Sequence, residues 1–139
     1  MNPIELAARR RRLGLSREEL GRCIGLVTPM PPIDRDTVAG WEEGSRMSDD
    51  MRLALPGILD LIEERTDLMC DRIRGLVEHS SAVRDDPTVT VTGYTDDETF
   101  WHDWPDLQGW PHILWNIAAT VAIDEARDDY GIEAWLETR

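Results

Sequence analysis

The sequence has no lysine, a single phenylalanine and two cysteines, and it contains no long apolar run. A membrane-spanning helix needs about 18 or more apolar residues in a row, so none is expected, and no signal peptide is recognised. Cys23 and Cys70 match no metal-binding spacing. We therefore expect both to be reduced, buried thiols in a cytoplasmic protein without membrane contact.

Sequence signatures of catalysis are also missing. The three histidines, His79, His102 and His112, form neither a His-x-x-x-His pair nor a pair with a cysteine, so a zinc site is not expected. A glycine-rich phosphate loop is absent, and the many carboxylates fit a solvated acidic surface better than paired acid–base catalysis. The sequence therefore predicts a protein that is not an enzyme, with no catalytic residue, metal or cofactor.

What the 139 residues do contain is a strong excess of acid, with a net charge of −13. The excess is uneven. Residues 1–46 carry eight arginines and seven acidic residues, residues 47–80 four and eight, and residues 81–139 three and thirteen. Because acidic surfaces repel phosphate, any surface that binds nucleic acid is expected near the N-terminus.

The first 44 residues show the start and stop signals of three short helices. The helices are predicted over residues 3–13, 17–24 and 34–42, and Val38 and Trp41 form the buried stripe of the third. The start signals are the N-caps Asn2, Ser16 and Asp34, and the stop signals are Gly14, Gly25 and Gly44. Helices this short need each other as packing partners, so a small three-helix core is predicted.

The motif Gly14-Leu15-Ser16-x-x-x-Leu20, followed by Val38-x-x-Trp41-Glu42-x-Gly44, resembles the helix-turn-helix domains of phage repressor and Cro type. The resemblance covers about residues 3–55. It implies that residues 17–24 are the first helix of the motif and that residues 34–42 are the recognition helix. It also implies a structural ion pair between Arg10 and Glu42.

Two features depart from that family. The turn holds an insertion of about seven residues, residues 26–32, in which three prolines favour an extended chain. The recognition helix carries Asp34 and Asp36 where basic or amide side chains are usual.

By resemblance, the leading hypothesis is a homodimeric, sequence-specific transcriptional regulator that binds double-stranded DNA. The residues expected at the DNA are Arg35, Asp36, Thr37 and Gly40 on the recognition helix, with Arg17, Thr28 and Arg46 at phosphates. The alternative is a protein-binding module on the same scaffold, antitoxin-like or a phage-encoded inhibitor, with a basic protein as its partner.

A long helix is predicted over residues 49–78, with a kink or break near Leu55 because Pro56 lies inside it. Its stripe, spaced alternately four and three apart, consists of Met51, Leu55, Ile58, Ile62, Arg65, Met69, Arg72 and Leu76. Either the stripe packs under the C-terminal part, or it forms a dimer seam. The seam residues would be Ile58, Ile62, Met69 and Leu76.

The C-terminal part is predicted as a strand over residues 88–92 and helices over 96–101 and 111–129. Residues 132–137 are either a second strand that pairs with residues 88–92, which we favour, or a short helix. Five of the six tryptophans lie there, and core or interface packing explains them better than a ligand cage. The predicted fold is mainly α: a helix-turn-helix domain (residues 1–47), a long linking helix (48–80) and a small acidic α/β module (81–139). This layout is also similar to that of some small bacterial regulators.

Overall fold

The computed structural model describes residues 1–45 and 47–139. The elements are helices α1 (Pro3–Arg12), α2 (Arg17–Val27), α3 (Arg35–Glu42), α4 (Asp49–Arg84), α5 (Asp97–Asp103) and α6 (His112–Tyr130), strands β1 (Thr88–Gly93) and β2 (Glu133–Thr138), and a 3-10 turn over Pro105–Leu107. The chain is mainly helical, with a small two-stranded parallel sheet formed by β1 and β2. This confirms the mainly α class. In the described residues, no helix has both the length and the apolar composition needed to cross a membrane.

The chain divides into two compact units. The N-terminal unit comprises Met1–Glu64 with Gly109–Pro111, and the C-terminal unit comprises Arg65–Gln108 with His112–Arg139. The sequence-based division gives the long helix a segment of its own, whereas α4 contributes residues to both units.

The first two helices begin at their predicted N-caps, and each start is a capping box. The Asn2 side chain accepts from the Glu5 N–H, and the Ser16 hydroxyl accepts from the Glu19 N–H. Each glutamate side chain in turn accepts from the backbone N–H of its cap, so two otherwise unpaired N–H groups are bonded at each helix start.

Helix α2 continues to Val27, so the predicted stop at Gly25 is wrong. The reason is that Gly21 and Gly25 lie where the following loop crosses the helix. The Ile33 N–H donates to the Gly21 carbonyl at 3.1 Å, and a Cβ on Gly21 would lie 1.8 Å from the Ile33 carbonyl oxygen. Gly25 lies against Pro32 in the same way. These glycines therefore allow close approach of the backbone, and the loop before α3 is shorter than predicted.

The N-terminal unit encloses its core between α1, α2, α3 and the first turns of α4. Its fully buried side chains include Leu6, Leu20, Ile24, Val38 and Leu55. Polar contacts also join α1 to α4: Arg9 lies 2.8 Å from Asp60 and 3.0 Å from Glu63, and Arg12 lies 3.2 Å from Glu63.

Helix α4 runs through Pro56 without interruption and extends to Arg84, so a break near Leu55 is wrong and the helix ends later than the predicted residue 78. Burial of Leu55 and Leu59 on either side of Pro56 favours the continuous helix. At the other end, the helix stops where Asp85 adopts a φ of 50°. The Ser81 hydroxyl donates to the Asp86 carbonyl there, so Ser81 belongs to the helix terminus.

The C-terminal unit packs α6 against the parallel pair β1 and β2, which confirms that residues 133–138 form a strand beside β1. Parallel strands need a long crossover, which α5, the 3-10 turn and α6 supply. Phe100, Leu114, Trp115 and Ala119 fill the core, and the Trp115 indole N–H donates to the Thr92 carbonyl at 3.0 Å. The cap of α5 is Asp96, because its carboxylate accepts from the Thr99 N–H.

Three of the four proposed seam residues are packed inside the chain. Ile58, Ile62 and Met69 are buried, with Ile62 0% exposed, whereas Leu76 is 47% exposed. A side chain that is buried within one chain offers no surface to a second copy. A dimer seam through Ile58, Ile62 and Met69 is corrected accordingly.

The crossing of the loop over α2 leads to a stability prediction. Replacing Gly21 by Ala should lower the free energy of unfolding by about 2 kcal/mol, because the new methyl group forces the Ile33 backbone away. The control is Gly57→Ala on α4. A Cβ added at Gly57 would have no atom within 4 Å, so the change should instead raise stability by roughly 0.5–1 kcal/mol. Chemical denaturation of both variants measures the two values, and equal effects would contradict the close approach.

Candidate nucleic-acid interface

Helix α3 is short, and both of its ends are set by its own sequence. The Asp34 carboxylate accepts from the Thr37 N–H at 2.7 Å, and the hydrogen bonds from Thr37 hold the pKa of Asp34 below its usual range. The helix stops at Glu42, and Gly44 follows with a φ of 90°.

One side of α3 faces the protein and the other faces outward. Val38 and Trp41 are buried in the N-terminal unit, as predicted from their spacing. Arg35, Asp36 and Thr37 are exposed. The helix therefore exposes a cation, a carboxylate and a hydroxyl at three successive positions, about 100° apart around its axis.

A buried ion pair links α1 to the end of α3. The Glu42 side chain is 2% exposed, and its two oxygens accept from Arg10 Nε at 2.6 Å and Arg10 Nη2 at 2.9 Å. Arg10 Nη1 also donates to the Leu15 carbonyl at 2.9 Å. This two-point contact confirms the Arg10–Glu42 pair, and it fixes α3 relative to α1 through geometry as well as charge.

Arg17 joins the same pair from the start of α2. Its Nε lies 3.3 Å from Glu42 Oε1, and its Nη1 lies 3.6 Å from Glu43. Burial acts to raise the pKa of Glu42, but the hydrogen bonds and charges of Arg10 and Arg17 outweigh burial and hold the pKa below its usual range. The three helices are thus joined at one ionised carboxylate.

Two other predicted site residues are committed to local structure. The Thr28 hydroxyl donates to the Ile24 carbonyl at 2.7 Å and accepts from the Met30 N–H, so it closes the end of α2. Gly40 lies under Ser45, whose N–H donates to the Gly40 carbonyl at 2.7 Å. Arg46 lies outside the described residues.

The structure thus leaves Arg35, Asp36 and Thr37 exposed on α3, whereas Thr28 and Gly40 take part in local backbone contacts. Sequence reasoning missed that Arg17 contacts Glu42. Its position at the start of α2 indicates nothing about its distance from the end of α3, so no local pattern could have revealed the contact.

Among the described residues, no group of three or more His, Cys, Asp or Glu side chains is arranged to hold a metal ion. Comparison of the sequence with models of known protein families and with curated proteins finds no match. Functional inference therefore depends on the residues and their geometry.

The ion pair leads to a second stability prediction. Glu42→Gln should lower the free energy of unfolding by about 3 kcal/mol, because it leaves the buried Arg10 guanidinium without its charged partner. The matched control is Glu43→Gln, at an exposed neighbouring carboxylate, which should change stability by less than about 0.5 kcal/mol. If the two variants unfolded at the same denaturant concentration, Glu42 would not join the helices as described.

The lowered pKa of Glu42 predicts how that difference depends on pH. The stabilisation by Glu42 should be complete above its unfolded-state pKa of about 4.3 and should diminish as the pH falls through the lower folded-state value. The measurement is the free energy of unfolding of wild type and of Glu42→Gln from pH 7 down to pH 3. The difference between the two isolates the contribution of Glu42, because the other carboxylates are common to both. A stability difference that stayed constant over this range would contradict an ionised Glu42 in the folded protein.

Proposed function

We propose that this protein is a sequence-specific DNA-binding regulator of the repressor type. The observation that carries the proposal is the two-sided arrangement of α3. Val38, Trp41 and Glu42 hold the helix from behind, and Arg35, Asp36 and Thr37 face outward. A helix of this diameter fits the major groove of B-DNA, provided that its outer surface is free.

The three exposed side chains have distinct roles at base edges. Arg35 has no hydrogen bond or ion pair to any other described residue, so its guanidinium is available for two-point contact with guanine. Thr37 can donate to or accept from a base, and Asp36 can accept from a cytosine amino group. The mixture favours recognition of a mixed sequence over recognition of one base type.

Phosphate contacts in this proposal come from arginine. Arg17 uses Nε and Nη1 for Glu42 and Glu43, which leaves Nη2 for a phosphate oxygen. Thr28 is left out of this role, because its hydroxyl proton is already donated to Ile24 and phosphate oxygens can only accept.

The proposed regulator acts as a homodimer in the cytoplasm. Two copies would place two recognition helices about 34–36 Å apart, one helical turn of DNA, on a palindromic operator. The acidic residues that dominate positions 81–139 must then point away from the duplex.

The test of base recognition is Arg35→Ala. This change should weaken binding to the cognate operator by about 2 kcal/mol and relax specificity at one position, because a two-point guanine contact is lost. The operator is first identified by selecting bound sequences from a random DNA pool, and affinities are then measured by fluorescence anisotropy. The charge-matched control is Arg127→Ala on α6, which should leave affinity unchanged. Equal affinity of wild type and Arg35→Ala for operator and scrambled DNA would contradict the proposal.

One observation favours a second candidate, a module that binds a basic protein. Asp34, Asp36 and Glu43 place three carboxylates on or directly beside α3, whose own cation is Arg35, and the chain as a whole has a charge of −13. Such a surface complements a basic partner through the same electrostatic attraction that steers other protein pairs.

A salt titration separates the two candidates. For DNA binding, the logarithm of the association constant should fall linearly with the logarithm of salt concentration, with a slope of about −0.9 for each phosphate contacted. Absence of DNA retention at low salt, together with capture of a basic protein that Arg35→Ala does not weaken, would favour the second candidate.

A further inference from the structure

Strand β1 has one edge paired with β2 and one edge open. The Glu133 N–H donates to the Pro87 carbonyl, and the Arg139 N–H donates to the Gly93 carbonyl. With the parallel register of Thr88 opposite Glu133, the backbone groups of Val89 and Val91 must also point towards β2. Those of Thr88, Thr90 and Thr92 therefore point away from β2, towards the open edge.

Two of the six backbone groups on that edge are already bonded within the chain. The Thr88 N–H donates to the Asp86 carboxylate at 2.9 Å, and the Thr92 carbonyl accepts from the Trp115 indole at 3.0 Å. Four groups have no hydrogen-bond partner in the described part of the chain: the Thr88 carbonyl, the Thr90 N–H, the Thr90 carbonyl and the Thr92 N–H.

We propose that a second copy of this chain pairs with this edge, antiparallel, about a twofold axis at Thr90. In that register Thr90 faces Thr90 of the second copy, and the two exchange both of their N–H···O bonds. Thr88 faces Thr92, and each Thr92 N–H donates to a Thr88 carbonyl. Every one of the four free groups thus receives a partner, and the two bonded groups need none. An unrelated peptide would leave unpaired the backbone groups that face the bonded Thr88 N–H and Thr92 carbonyl, whereas in a second copy those facing groups are themselves bonded.

The space beside the edge suits such a strand. A cavity of about 550 Å³ lies between β1 and the last turns of α4, and its lining includes Leu76, Ser80 and Val83, spaced four and three apart on one side of the helix. Leu76 and Val83, on the side of α4 that lines this cavity, are 47% and 69% exposed, so apolar surface is left uncovered beside the open edge. Pairing at Thr90 places Val89 and Val91 of the second copy on this inner side, where they would cover Leu76 and Val83.

Charge also distinguishes the two edges of the sheet. Strand β1, with the sequence Thr-Val-Thr-Val-Thr-Gly, has no charged side chain, although exposed edges are commonly protected by charge. Strand β2 carries Glu133 and Glu137 and is followed by Arg139. In a segment with three arginines and thirteen acidic residues, the uncharged strand is the edge of the sheet at which two copies meet less repulsion. A basic peptide, in contrast, would be attracted to the acidic β2.

The inference deepens the proposed function and rests on it only for the requirement of a dimer. It replaces the seam along α4 by the β1 edge, and it retains Leu76 as an interface residue.

Single cysteine substitutions test the register in the full chain without DNA. Thr90→Cys should form a disulfide-linked dimer under mild oxidation, because the paired Cα atoms would lie about 5.5 Å apart, within disulfide reach. The matched controls are Thr88→Cys and Thr92→Cys. Each is four residues out of register with its own counterpart, about 13 Å along the strand, and should stay unlinked. Equal cross-linking of all three variants, or none with Thr90→Cys, would overturn the proposal.

A proline substitution tests the edge itself by light scattering. The wild-type chain should have twice the single-chain mass of 15.9 kDa, and Thr90→Pro should have the single-chain mass, because it removes an N–H that the sheet within one chain does not use. Ala134→Pro, at an N–H on the outer edge of β2, is the control and should remain dimeric. A monomeric wild type, or a folded Thr90→Pro dimer, would overturn the proposal. If Thr90→Pro fails to fold by circular dichroism, the cysteine series decides.

These measurements contain no DNA, so the two proposals can fail separately. A Thr90-linked dimer that retains no DNA would contradict the proposed function and support the β1 interface. A dimer that binds DNA but is not cross-linked through Thr90→Cys would contradict the β1 interface and support the proposed function.

Discussion

The N-terminal unit depends on one buried carboxylate. Glu42 receives hydrogen bonds from Arg10 on α1 and Arg17 on α2, so a single side chain at the end of α3 sets the position of that helix against two others. Burying three charged groups is favourable only if each is well paired, and the short two-point contact with Arg10 meets that requirement. Helix α3 has eight residues and could not persist alone, so its outer surface exists only because this carboxylate and the apolar contacts of Val38 and Trp41 hold it.

Close backbone packing complements that ionic contact. With hydrogen as their side chain, Gly21 and Gly25 let the chain before α3 lie directly on α2, where the Ile33 N–H meets the Gly21 carbonyl. Helix α3 is thereby held from its start by backbone contact and at its end by Glu42. Its exposed residues Arg35, Asp36 and Thr37 are consequently presented on a rigid helix, which is what recognition of a defined ligand surface requires.

Local signals make much of this fold predictable from sequence, and non-local distances account for what is missed. The caps Asn2, Ser16 and Asp34 act within four residues, so the predicted helix starts are correct. Gly25 has the sequence pattern of a helix stop, so the predicted helix ends too early. The contact of Gly25 with Pro32 explains the glycine instead, and a local pattern does not reveal that contact. The stripe on α4 shows that Ile58, Ile62 and Met69 share one side of the helix, but a pattern cannot tell whether that side meets the same chain or another copy.

For the candidate site, spacing correctly places Val38 and Trp41 inside. The engagement of Arg17 by Glu42 is visible only in three dimensions.

The order of the strands has a consequence for how the protein folds. About forty residues separate strand β1 from β2, which is its only neighbour in the described sheet. Closing a loop of that length is slow compared with forming a helix, so α6 can form while β1 still has two unpaired edges. During that interval an uncharged, β-branched segment is available to any other nascent copy, and premature association competes with correct folding. The thirteen acidic residues after position 80 oppose such association, because like charges on two copies repel each other.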